Sequence, residues 1–404
     1  LGGAVRGKKG KMGITYNAGT NIITVTGFTE GTPCTFLDVY NADVAGGWGV
    51  VSKQGNNQFM FNAGIIIGDG STPTWFEDYS KLIVFLSFPV PMYSPGVFGA
   101  MLIDTAANCK FGKIQSAADK ICREGCLFYM ESSGKHGIQA RGSGNLSFYG
   151  CHIIANGDGN TGSSLNPSHS GVLKAWNTVF EVPLMMLTAN NEIIKCTANY
   201  ITYGVALNKG GTIEDLVAFG STVYAALSSE LPSGQTLTIK NPYVRGCLRI
   251  LLGWSTCHGI HNIVNADTDT WGIYLSSGSV STVFRQYEFD LKVIKKDAAM
   301  TPVVGASVKI WDKDNNLVAD TTTGSGGIST QTLNYGYYNY AGQSTPVMQT
   351  PHTIEISKAG YETYKKRFMV DEKIKWLIRL LETMPVRQCD NDIILQLRPE
   401  SQED

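Results

Sequence analysis

Charge is scarce in this sequence: Asp, Glu, Lys and Arg make up 17% of its 404 residues, against about a quarter of an average domain. What charge there is nearly cancels, with 33 Lys and Arg against 34 Asp and Glu. No global field therefore steers the chain to nucleic acid or anionic lipid. The nine cysteines lack the C-x-x-C spacing of zinc and dithiol redox sites, so most read as small buried hydrophobes. Cys122-Arg-Glu-Gly-Cys126 is the closest pair, with a disulfide or half a metal site as the alternatives. The phosphate loop, the dinucleotide fingerprint and the Gly-x-Ser-x-Gly elbow are missing as well, and neither a cofactor nor a metal is expected. Residues 82–103 carry no charge and could span a bilayer by length, but Pro89, Pro91 and Pro95 interrupt them. They read as strand and loop, without membrane insertion. Helical periodicity is nearly absent.

What is present is glycine and strand. There are 45 Gly, and 43% of residues are hydrophobic, enough for a large core and for more than one domain. Segments such as NIITVTG, NQFMFNAGIIIG, KLIVFLS and CLFYM alternate in the manner of strands and are separated by GDGSTP, GSGN and NKGGT turns. From about Phe111 a similar unit returns, and the offsets from Phe128 to Phe148, Trp176, Cys196 and Phe219 are 20, 28, 20 and 23 residues. Strands and turns repeating at that length, without helices, predict a solenoid whose coils stack apolar positions on one another. Residues 1–12 hold Arg6, Lys8, Lys9 and Lys11 without an acid and read as a solvated basic arm. No apolar stretch of the signal-peptide kind follows them.

On these repeats, residues 51–288 resemble the right-handed parallel β-helix proteins, the group that includes phage tailspikes and pectate-lyase-like enzymes. The block ITYNAGTNIITVTGFTEGTPCTFLDVYNADVAGGWGVV, followed by FMFNAGIIIGDGSTPTWF, is similar to the opening coils of virus- and phage-associated members, with residues 13–50 as a lead-in and capping segment. After Phe284 the texture changes to short alternating strands with more Lys and Asp, which reads as an antiparallel sandwich. The sequence Val304-Gly305-Ala306-Ser307-Val308, then Asp312-Lys-Asp314-Asn-Asn316, Gly324, Gly327, Ile354-Glu-Ile356 and Gly360-Tyr361 resembles the carboxypeptidase-regulatory-like, transthyretin-like module. That resemblance assigns residues 289–383 to an Ig- or transthyretin-like β-sandwich that binds or spaces and does not catalyse. Residues 384–404 follow, with IILQL as a further strand and an acidic tail. The expected fold class is all-β.

Candidate chemistry is sparse. Pectin-degrading β-helix hydrolases need carboxyls at a set separation, and no Asp-Asp or Asn-x-Asp stands on a predicted coil. Four residues form the group to test first: Glu131, His136, Arg141 and Asp158. His136 and Arg141 could serve as base and charge stabiliser in an elimination, and Lys135-His136-Gly137 is similar to the Gly-His-Gly turn of polygalacturonases. Asp158, Asp267 and Asp269 stand in turns, where an Asp ordinarily hydrogen-bonds its own backbone. In Cys257-His258-Gly-Ile-His261 the imidazoles are three apart, so on a strand they point to opposite faces, which argues against a shared metal unless a turn intervenes. Asp312-Lys-Asp314-Asn-Asn316 fails as a calcium loop because Leu317 and Thr323 occupy the positions that need Gly and Glu. Trp48, Trp75, Trp176, Trp254 and Trp271 read as packing. Tyr335, Tyr337, Tyr338 and Tyr340 are placed in a sandwich loop as a ligand or interface contact.

The favoured expectation is a non-enzymatic structural protein of a virion or extracellular surface. Its partners would be further copies of itself, a trimer being what the tailspike resemblance implies, and other subunits of a particle or surface layer. A polysaccharide lyase or glycoside hydrolase, and an adhesin that holds glycan without cleaving it, are the alternatives.

Overall fold

The computed structural model describes residues 13–79, 81–86, 90–91, 98–99, 101–130, 138–155, 165–169, 171–181, 185–187, 190–199, 205–207, 210–220 and 225–383. The basic arm 1–12 and the segment 384–404 lie outside them. The protein is all-β, with long parallel-stranded sheets and, among the described residues, one α-helix. It divides into two compact units: one ends at Glu288 and also takes in Thr332–Gln349, and the other comprises Phe289–Gln331 and resumes at Thr350. Among the described residues no helix is long and apolar enough to cross a membrane.

In the first unit the chain visits three sheet positions in the same order again and again. Sheet I runs in parallel from Thr74–Asp78 through Ala107–Phe111, Asn145–Tyr149, Val172–Trp176, Asn190–Ile194, Gly211–Glu214 and Thr236–Lys240 to Ile260–Val264, and then to the start of Thr282–Lys295. Sheet II is ten-stranded. The hairpin of Val51–Gln54 and Gln58–Phe61 begins it, and parallel strands follow from Ile83–Leu86 to Asp267–Thr268. The third position is held first by a six-stranded sheet, begun by the hairpin of Ile14–Asn17 and Ile22–Val25, and then by a five-stranded one ending at Ile273–Leu275.

Strand alternation turns one set of side chains inward, and register stacks them into rows. On sheet I one inward row reads Phe111, Phe148, Ala175, Ile193, Ile213, Ile239 and Ile263. On sheet II the row is Phe59, Val84, Phe128, Ile153, Phe180, Ala198, Ala218 and Val244. All are buried. Phe128 and Phe148 therefore belong to different sheets, and the 20-residue offset between them is not one period. Trp176 and Phe219 face outward. The repeat length was legible, but its phase was not.

The corner from sheet I to sheet II is the most regular feature. From Ala107–Phe111 to Ile260–Val264, the first residue after each strand has positive φ: Gly112, Gly150, Asn177, Lys195, Asp215, Asn241 and Asn265. A single left-handed residue turns the chain sharply and aims its N–H along the stack. Asn177 donates to the Ile194 carbonyl, Lys195 to Glu214, Asp215 to Lys240, Asn241 to Val264 and Asn265 to Gln286, at 2.8–3.0 Å. From Gly150 onward the corner amides thus bond to the following pass, while Gly112 donates to Asp78 of the preceding one, as buried backbone requires. Side chains extend the pattern, Asn241 Nδ2 donating to Asp215 Oδ1 and Asn265 Nδ2 to Asn241 Oδ1.

Sequence periodicity missed the helix α1, Phe36–Gly46. Its signal is chemical. Thr35 caps the Asp38 amide, Asp38 bonds back to the Thr35 amide, and Gly47 ends the helix in the left-handed region. The buried Asp78 carboxylate accepts the Phe36 amide at 3.0 Å, at the positive end of the helix. The Phe36 ring packs on Phe59, Phe61, Phe76, Phe111 and Phe128, closing the apolar interior at its first passes.

The second unit contains a four-stranded antiparallel sheet ordered Leu317–Thr322, Ser307–Trp311, His352–Ser357 and Tyr364–Phe368. Ile374–Leu380 pairs in parallel with Phe289 to Lys295, where only antiparallel pairing was expected. Val308, Ile310, Ile354, Ile356, Phe289 and Phe368 supply buried side chains. One boundary also needs correction. Residues 332–349 do not belong with 289–383, because the tyrosines of the strand Ile328–Tyr338 pack with the first unit.

Candidate functional site

Glu131, His136 and Asp158 lie outside the described residues. Arg141 is on the strand Ile138–Gly142, its backbone opposite Ser168. Asp267 and Asp269 are both engaged: Asp267 pairs with Arg245, and Asp269 accepts the Gly246 amide at 2.9 Å. His258 is exposed and precedes the strand Ile260–Val264, on which His261 is buried. Asp312 accepts the amides of Asp314 and Asn316 and the Asn316 side chain, which makes its loop a polar turn. Among the described residues no group of His, Cys, Asp and Glu could hold a metal ion.

The tyrosine cluster is the best-defined constellation. Arg285 continues the inward row of sheet I immediately after Ile263, so it places a cation where the apolar interior ends. Its guanidinium lies 4.2 Å from the Trp271 ring and 4.1 Å from the Tyr335 ring, and it donates to the Tyr287 hydroxyl at 2.6 and 3.0 Å. Two flat rings within 4.2 Å and a hydroxyl acceptor let this cation sit partly buried. Tyr338 is itself core, 3% exposed, and burial raises its hydroxyl pKa. The expectation that all four tyrosines are contact residues is thus corrected for Tyr338: alternation along the strand turns it inward. Tyr337 is half-buried against Phe284, and Tyr340 is 58% exposed. Arg285 carries no sequence motif. The alternation Val283, Arg285, Tyr287 was the one signal that could have placed it.

A second constellation stands on the outer side of sheet I. The hairpin of Lys113–Ser116 and Ile121–Arg123 lays Ile114 and Cys122 on Tyr149, Trp176 and Ile194. Lys120 sits 4.1 Å over the Trp176 ring and 3.7 Å from Glu192. Beside it, Asp119, Lys120, Lys195, Glu214 and Asp215 line a cleft of about 320 Å³ with both signs of charge on its walls. In the second unit a groove of about 410 Å³ is lined by Leu291, Ile328, Trp376 and Leu377, with Asp290, Lys292 and Lys375 at its margin.

The eight described cysteines are free. Burial pushes the Cys122 thiol up to about 11 and those of Cys151 and Cys196 up to about 12, and it raises Cys34, Cys109 and Cys126 also. Cys151 and Cys196 donate to the Phe111 and Ala175 carbonyls just as Thr178 donates to Phe148. They fill hydroxyl positions at successive corners, and a thiol held protonated is no nucleophile. His261 Nε2 lies 2.8 Å from Ser229 Oγ, the spacing of a nucleophile and its base. Both residues are fully buried in the first unit's core, out of reach of any substrate.

No family model and no curated protein matches the sequence. Among solved structures, "The Bacillus anthracis TIE protein" is similar over 28% of this chain and 20% of that one, with 15% identity and a TM-score of 0.20. The chain thus spans about a fifth of that structure's length.

Proposed function

We propose that this protein is a non-enzymatic structural component of a virion or extracellular surface assembly, in which a parallel β-helix is the rigid scaffold and an Ig- or transthyretin-like sandwich the attachment module. One observation carries the reading: the strand, the left-handed corner and the next strand recur in register from Gly112 to Asn265, each corner amide bonded to the neighbouring pass. Repetition of that kind yields a stiff body stabilised by nearest-neighbour contacts. A right-handed winding is what parallel crossovers adopt almost without exception. The chain covers its own apolar interior with α1 at the first passes and with Arg285, Trp271 and Tyr335 at the last. The half-exposed Ile328 and Leu377 of the second unit offer an apolar attachment groove.

The test is incubation of the full chain with acidic and neutral polysaccharides, following reducing ends and unsaturated-product absorbance. Neither signal is expected. Product release that vanished in Glu131→Gln or His136→Ala would overturn the reading in favour of a lyase or hydrolase.

A further inference from the structure

The two outer flanks of the first unit are built from parallel strands of the same passes, yet their chemistry differs. On sheet I the outward side chains include charged pairs: in one row Glu77 lies 3.6 Å from Lys110 and Lys174 lies 3.2 Å from Glu192, and in the next Glu214 stands opposite Lys240. On sheet II the two outward rows contain no lysine. One runs Gln58, Ile83, Leu127, His152, Val179, Thr197, Val217 and Tyr243, and the other Met60, Phe85, Tyr129, Ile154, Glu181, Asn199, Phe219 and Arg245. All are at least partly exposed, Phe219 at 40% and Tyr243 at 38%. Two acids on this face have close neighbours: Glu181 is 3.1 Å from the His152 imidazole, and Asp267 pairs with Arg245. At the third sheet position the outward Leu102, Ser228 and Leu252 are already buried.

We propose that the outer face of sheet II is a self-association surface, against which a second copy of this chain packs sheet to sheet. This rests on the scaffold reading above and names the face by which that scaffold assembles. Ten of these sixteen side chains are apolar or aromatic, and a sheet face of that composition and extent marks an interaction site. Parallel strands about 4.8 Å apart make the face roughly 40 by 15 Å, on the order of 600 Å² per copy and about 1,200 Å² for a pair, which reaches the range of stable interfaces. Its side chains form ridges at the interstrand spacing along the whole stack. A second copy brings the same spacing over the same length, so the ridges of both interdigitate as in face-to-face sheets. The ion pair of Asp267 with Arg245 lets that end of the face leave water without stranding a charge.

Sedimentation velocity of the full chain across micromolar concentrations tests this. The wild type is expected to associate, and Leu127→Glu combined with Val217→Glu to raise the dissociation constant by at least ~100-fold, about tenfold for each buried apolar side chain lost. Thr212→Glu, on sheet I, is expected to leave it unchanged, with circular dichroism confirming the fold of each variant. As a check that does not depend on destabilising charges, Thr197→Cys treated with a short bismaleimide is expected to give a two-chain product and Thr212→Cys none. A monomeric wild type, association indifferent to the double variant, or crosslinking through Thr212→Cys alone would each overturn the surface. Product release from a polysaccharide by an associating wild type would remove the scaffold reading and leave the surface standing.

Discussion

Apart from its hairpins, the first unit pairs its strands with strands one full pass away along the chain, whereas the second pairs Ser307–Trp311 with the next strand in sequence and His352–Ser357 with the strand that follows it. That difference moves the burden of folding. In the first unit a corner residue finds its hydrogen bond only when the neighbouring pass is in place, so strand, corner and core form together. In the second, antiparallel neighbours satisfy most backbone groups locally, and side chains can be more polar. Tyr364–Phe368 carries Lys365, Lys366 and Arg367 in a row, a density found on no described strand of the first unit. A long-range stack tolerates errors at its corners poorly, while an antiparallel sheet tolerates them at its loops.

Glycine substitutions sharpen that contrast most. A Cβ on Gly112 would run into the Tyr149 carbonyl of the next pass, and its φ is +84°. Gly112→Ala should cost several kcal/mol, of order 4 or more, as overpacking adds to left-handed strain. Gly360, in the second unit, has φ of +83° but nothing within 4 Å of its Cβ position. Gly360→Ala should cost only about 1 kcal/mol. Hydrogen exchange read by mass spectrometry separates the units; equal effects would break the comparison.

Acid should strain both units, through different partners. Burial pulls His261 and His352 from the ordinary 6.5 down to about 4, so both are neutral when folded. As pH falls from 6.5 towards 4, the unfolded chain binds protons that the native state refuses, and each unit loses up to about 3 kcal/mol. Stability is whole above 6.5, and the loss is complete below 4. His352 has no hydrogen-bond partner at either ring nitrogen, whereas His261 meets Ser229. His352→Leu should therefore abolish the acid loss of the second unit at little expense near neutrality. His261→Leu should abolish it in the first but destabilise by about 1 kcal/mol at pH 7, through the lost hydrogen bond. Denaturant titrations at pH 7 and pH 4.5 read both.

The smallest effect expected is at the left-handed asparagines. Asn241→Gly keeps the backbone geometry but removes the side-chain bonds to Asp215 and from Asn265, a loss of about 1–2 kcal/mol. Asn315, also left-handed, turns a local loop, and Asn315→Gly should shift stability by no more than a few tenths of a kcal/mol. A comparable loss at both positions, measured by thermal unfolding, would mean that the corner ladder carries no special weight.

Much of this was legible in advance and some was not, for reasons tied to particular residues. Alternation in NQFMF, KLIVFLS and CLFYM announces strands because side chains on a strand face opposite ways, and all three segments form strands. Thr35 and Asp38 announce a helix start, but the segment after them, Leu37 to Gly46, has too weak an apolar stripe for periodicity to report it. The tyrosine cluster was visible as composition. Its division into the core residue Tyr338, the stacking residue Tyr335 and the exposed Tyr340 was not, because Arg285 and Trp271, which take up Tyr335, lie far from it in sequence.

By itself the amino-acid sequence determined the strand-rich character, the approximate repeat length and the change of texture after Phe284, since alternation, turn residues and charge density are local properties. Tertiary structure alone decided which residues stack. Row membership depends on register between strands a full pass apart, and a shift of one residue would have exchanged every inward side chain for an outward one. The same register decided that Arg285 ends an apolar row, and that one outer flank carries Lys and Glu while the other carries Ile, Phe and Tyr.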